Sequence, residues 1–101
     1  MRNPAAQGRC DANQAELTAV YESLFCSVVD THILGGGMGD ALIGCAGVTD
    51  IVEFKLPDGT YTPAQLTFRK SWRGSKILTI RTREDVIAHV TKIRSRFSQG
   101  I

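Results

Sequence analysis

Three ionisable residues stand at spacings that suit joint work on a phosphate: Asp40, then Glu53 and Lys55 separated by a single residue. On an extended strand side chains alternate faces, so Glu53 and Lys55 share one side while Val52 and Phe54 take the other. If Asp40 opens the preceding strand and the two strands turn at Ala46 and Gly47, their register sets Asp40 opposite Glu53. Two carboxylates so close repel each other unless a cation lies between them. Mg²⁺ is the hard ion that one or two carboxylates, several waters and a substrate phosphate hold together, with Mn²⁺ as its substitute. The backbone carbonyl of Phe54 is a further candidate ligand. The chemistry open to such a group is phosphodiester hydrolysis. The ion would polarise the phosphate and help generate hydroxide, while Lys55 positions or deprotonates the attacking water and offsets charge on the pentavalent transition state. A plainer account fits the same residues: Glu53 and Lys55 face solvent on a strand, and Asp40 is a turn residue.

Other residues have competing readings. Gln65 either reaches the site or closes a capping box onto Thr62, and one side chain is not expected to do both. Glu16 falls at the edge of an apolar helical stripe, which would turn it toward the sheet margin. Asp50 is an alternative acid, but three positions before Glu53 it points to the opposite face. His32 and His89 are single and lack metal-site spacing; His32 reads as structural, with substrate contact as the alternative. Arg69, Lys70 and Arg73 are candidate phosphate contacts, on a helix that begins beside the proposed site. Trp72 continues that helix's stripe and reads as core. Cys10, Cys26 and Cys45 form no CxxC pair, and Cys26 and Cys45 read as small buried hydrophobes.

The elements that must position these residues follow from periodicity. Leu17, Val20, Tyr21, Leu24 and Phe25 recur at helical spacing and predict a helix over 13–25, capped by Asp11 or Asn13. Strands are predicted over 27–34, 40–45 and 50–56. The glycines at 35, 36, 37 and 39 lack the spacing and lysine of a phosphate loop. Thr62-Pro63-Ala64-Gln65 opens a helix running to Gly74. A mostly apolar strand covers 76–80, and Thr82 caps a last helix whose buried stripe is Val86, Val90, Ile93 and Phe97. The predicted order is α-β-β-β-α-β-α: an antiparallel meander, then a crossover that brings the last strand in parallel, giving a mixed four-stranded sheet flanked by helices.

Bulk properties bound the function. A chain of 101 residues with 43% hydrophobic and 22% charged residues supports one domain with a single core, over about 13–97, with 1–12 and 98–101 expected to be flexible. No stretch approaches the roughly 20 apolar residues of a membrane span, and the first residues lack the apolar core of a signal peptide, so the cytoplasm is the default expectation. A net charge of +2 nominates no partner by itself. Between Arg69 and Arg96, however, nine cations face only Glu84 and Asp85, the kind of basic surface that binds phosphate backbones or is simply solvated.

Asp40, twelve further residues, Glu53-Phe54-Lys55 and a helical Gln65 together resemble the PD-(D/E)xK nuclease superfamily, most closely its small virus-type replication-repair branch. GDALIG resembles the strand opening of that branch, and IVEFKLPDGTYTPAQLTFRKSWRG its glutamate-x-lysine strand, glycine turn and Ser/Thr-Pro-x-Gln helix. The resemblance runs from about Asn13 to Ile93, with Gly39 where the superfamily has proline. It implies a restriction-endonuclease-like α/β core, with Asp40 and Glu53 as metal ligands, Lys55 as the catalytic lysine, Gln65 near the site and Glu16 assisting the metal or its water. The implied activity is Mg²⁺-dependent cleavage of branched or flapped duplex DNA, and a homodimer would present two sites to two strands. The rival expectations are a DNA-binding module without turnover and a phage structural or assembly protein.

Overall fold

The computed structural model describes the backbone of residues 4–99 and the side chains of 12–96. Helix α1 (Pro4–Ser23) leads into β1 (Ser27–Asp30), a short 3-10 turn (His32–Leu34), β2 (Ala41–Cys45), β3 (Val48–Phe54), α2 (Pro63–Ser71), β4 (Leu78–Ile80) and α3 (Arg83–Gln99). The sheet is mixed, in the order β1-β2-β3-β4: the first three strands form an antiparallel meander and β4 lies parallel to β3. The described residues therefore form an α/β domain with a four-stranded sheet and three helices, in the element order that the periodicity predicts.

One face of the sheet carries the apolar core. Ala41, Ile43 and Cys45 alternate inward on β2 and join Val52 and Ile80 beneath Leu17 and Tyr21 of α1 and Val86, Val90 and Ile93 of α3. α2 reaches the other face through Arg69, has no buried residue of its own and is held by polar contacts. Cys26 and Cys45 are free and buried, and burial pushes the Cys26 thiol up to about 11. The side chains of Cys10 and Phe97 lie outside the described residues.

Several boundaries differ from those predicted. α1 starts at Pro4, so Asp11 and Asn13 lie within it and not at its start. Its C-terminus closes as a Schellman motif: Cys26 N–H donates to Tyr21 O and Phe25 N–H to Glu22 O, with Phe25 at φ 65° in the left-handed position. β1 stops at Asp30 because Asp30 Oδ1 accepts the His32 N–H at 2.9 Å, a side-chain turn that diverts the backbone from the sheet. Trp72 is not core. It is partly exposed beyond α2, stacks on Phe68 at 5.4 Å and donates its indole N–H to Ser75 O. At the start of α3, Thr82 Oγ1 accepts the Asp85 N–H and Asp85 Oδ2 accepts the Thr82 N–H, the reciprocal arrangement of a capping box. Among the described residues no helix is long and apolar enough to cross a membrane.

Candidate active site

The site starts from the β2–β3 hairpin. Ala46 (φ 49°) and Gly47 (φ 81°) both take positive φ, as a two-residue turn between right-twisted strands requires. The turn fixes the register: Cys45 pairs with Val48 and Ala41 with Val52. One step further, Asp40 N–H donates to Val52 O at 2.9 Å, which sets Asp40 against the end of β3 beside Glu53. Gly39, at φ 122°, permits this approach, since a Cβ there would lie 2.7 Å from Ile51 Cγ2 and 3.8 Å from Glu53 Cγ.

Asp40 Oδ2 accepts the Phe54 N–H at 2.8 Å. Burial raises the pKa of Asp40, opposed by that hydrogen bond and by the positive charge of Lys55. Lys55 Nζ donates to Gln65 Oε1 at 2.7 Å, and the same Oε1 accepts the Thr62 N–H at 2.9 Å while Thr62 Oγ1 accepts the Gln65 N–H. Gln65 thus performs both tasks that the sequence set as alternatives, because an amide oxygen has two lone pairs. Asp40, Phe54, Lys55 and Gln65 line one cavity of about 300 Å³ with Asn13 and Gln14 of α1. Asn13 also donates to Lys55 O at 3.1 Å, fastening α1 to the end of β3.

Glu53 is brought to the same strand end but does not line this cavity. It is 0% exposed, and neither carboxylate oxygen has a hydrogen-bond partner among the described residues. Arg69 Nη2 lies 3.3 Å from Glu53 Oε2 in an ionic contact that is not aligned as a hydrogen bond. Nη1 donates instead to Ile77 O and Nη2 to Thr79 Oγ1, Nε has no partner among the described residues, and the guanidinium stacks 4.4 Å from the Tyr61 ring. Arg69, expected as a phosphate contact on an exposed face, is therefore turned inward by a buried carboxylate, whereas Lys70 and Arg73 are exposed.

Glu16 is exposed and is not among the residues lining the cavities beside Asp40. At roughly 100° per residue, the buried Leu17 and Tyr21 set Glu16 on one flank of α1 and Gln14 and Thr18 on the other, and it is these two that face Asp40. Asp50 lies on the opposite face, as expected, and its Oδ2 takes His89 Nε2 at 2.7 Å. His32 Nδ1 lies 2.6 Å from Asp30 Oδ1, and this dyad shares a cavity wall with Asp40. The His32 backbone N–H, and after it the ring, hold the Asp30 carboxyl below its ordinary range. Tyr61, hydrogen-bonded to Thr79 Oγ1, also went unmarked in the sequence, where an isolated tyrosine in a turn carries no signal.

Compared with protein-family models, characterised proteins and solved structures, the chain matches none.

Among the described residues no three His, Cys, Asp or Glu side chains converge as a ready metal cluster. The available donors are hard oxygens: the two carboxylates of Asp40 and Glu53 and the Phe54 carbonyl. The Glu53 carboxylate has the Arg69 guanidinium as its ionic partner but accepts no hydrogen bond among the described residues. Hard oxygens are the donor class that a Mg²⁺-type cation takes.

Proposed function

We propose that the chain is a divalent-metal-dependent phosphodiesterase acting on DNA, built on a restriction-endonuclease-like core of the PD-(D/E)xK kind. The observation that carries this reading is the Glu53 carboxylate, buried without a hydrogen bond and two residues from a lysine aimed by Gln65. Asp40, Glu53 and the Phe54 carbonyl would hold Mg²⁺ or Mn²⁺. When bound, the ion supplies Lewis-acid polarisation of the scissile phosphate and lowers the pKa of its water.

The protein groups do the rest. Gln65 Oε1 holds Lys55 Nζ at the cavity, so the ammonium orients the attacking water and offsets charge on the pentavalent phosphorus. The water oxygen bonds to phosphorus and releases a proton to solvent, the bond to the leaving oxygen breaks, and that oxygen takes a proton from solvent. Lys70 on α2 and Arg73 just beyond its end supply backbone contacts, and branched or flapped duplex is the preferred DNA class. Glu16, exposed on the far flank of α1, has no part in this reading; Gln14 stands nearer Asp40.

A homodimer belongs to the same reading. Phe25, Val29, Ile33 and Leu34 are exposed on and around edge strand β1 and offer the apolar surface it would cover. One observation favours a second reading, a binding module without turnover: Arg69 already lies against Glu53 and supplies the countercharge that an ion would. The experiment that separates them is nicking of supercoiled and branched DNA with Mg²⁺ or Mn²⁺. Metal-dependent cleavage is expected, with Lys55→Met slower by about 10²- to 10⁴-fold and its DNA affinity in chelator unchanged. Cleavage that survives the substitution removes this mechanism, and binding without cleavage under both metals selects the second reading.

A further inference from the structure

A second cavity, of about 190 Å³, opens on the sheet face away from Glu53, between β3, the segment joining α2 to β4, and α3. Its floor is Leu78 and Ile93, and its rim carries Lys76, Lys92 and Arg96. Lys92 and Arg96 stand four residues apart on one face of α3, where like charges repel, and Lys76 comes to the same opening from a different element. Among the described residues no ion pair engages any of the three.

Asp50, the one acid among the lining residues, is engaged by His89, which lines the same cavity. Burial pushes the Tyr21 phenol far above its ordinary range, and its Oη lies 2.7 Å from His89 Nδ1. On its other side His89 Nε2 lies 2.7 Å from Asp50 Oδ2. The negative end of α3 accounts for a cation at Arg96. It does not account for Lys76, nor for the convergence of three cations over an apolar floor, where reduced solvent strengthens attraction to an anion.

We propose that this cavity is a phosphate site that takes the backbone of a nucleic acid at a position separate from the Asp40–Lys55 cavity. With Arg69 withdrawn onto Glu53, three cations of the basic segment that have no ion pair among the described residues meet here, and three donors around one opening match a phosphodiester flanked by its neighbours. The site stands on its own charges and does not depend on cleavage.

The test uses the full chain in chelator, with a fluorescein-labelled duplex titrated across salt concentrations of about 50 to 300 mM. Replacing Lys92 and Arg96 together by Ser is expected to weaken binding about tenfold or more and to reduce the slope of log affinity on log salt by about two, one per lost contact. Lys76→Glu, on another element, should act in the same direction. Inorganic pyrophosphate should shift the amide resonances of residues 76, 92 and 96 in the unmodified protein. Unchanged affinity and slope in both variants overturn the proposal. Pyrophosphate shifts without any change in duplex binding overturn the nucleic-acid assignment in favour of a free phosphate ligand. Because no divalent ion is present, loss of cleavage activity leaves these outcomes untouched.

Discussion

Asp40 holds its proton more tightly in the folded chain than in the unfolded one, because burial outweighs the Phe54 N–H and Lys55. Between its unfolded and folded pKa values the native state binds more protons, so stability falls as pH rises through that window and the full penalty stands above it. Asp40→Asn should therefore raise the metal-free melting temperature at neutral pH. The difference should close when the pH is brought below the ordinary carboxylate range, and adding Mg²⁺ should stabilise the natural sequence more than the variant. Thermal melts over pH with and without chelator check this; a gap that is equal at acid and neutral pH would count against a buried, penalised carboxylate. The pairing of Asp40 with the end of β3 was legible in the sequence because side-chain alternation and a two-residue turn at Ala46 and Gly47 leave one register. The inward turn of Arg69 was not legible, since it depends on Glu53 reaching across from another element to a helix whose own pattern shows only an exposed charge.

At the scale of elements, α2 carries Gln65 to the site yet buries none of its residues. It is anchored by the Lys55 and Arg69 contacts and by its Thr62 cap. Such an element opens locally before the sheet does. Thr62→Ala removes a cap worth about 1 kcal/mol and should speed amide exchange throughout α2 roughly fivefold while α1 and α3 keep their protection. Hydrogen exchange read by mass spectrometry or NMR checks this, and equal acceleration in all three helices would show that α2 opens only with the whole domain. The Thr-Pro-x-Gln start was readable because capping chemistry is local. The loss of β1 after Asp30 and the flank occupied by Glu16 were harder to read: the first turns on a competing side-chain hydrogen bond, the second on a helical phase set by Leu17 and Tyr21 rather than by Val20 and Leu24.

The whole molecule presents one edge of its sheet, β1, with Phe25, Val29, Ile33 and Leu34 exposed around it. Open strand edges with apolar neighbours favour pairing between chains. Sedimentation over a range of concentrations should show reversible self-association, weakened by Phe25→Gly. Phe25 is 91% exposed and sits at φ 65° where α1 closes, a torsion that costs a side-chain-bearing residue about 1 kcal/mol and glycine nothing. The same substitution should then raise the melting temperature by about 4–8 °C if that strain is fully relieved. A variant that melts later but associates as before would clear Phe25 of any part in self-contact. An outward aromatic ring balanced on an unfavourable torsion leaves this domain less durable than its own fold permits, and solubility and robustness should improve together when that ring is removed.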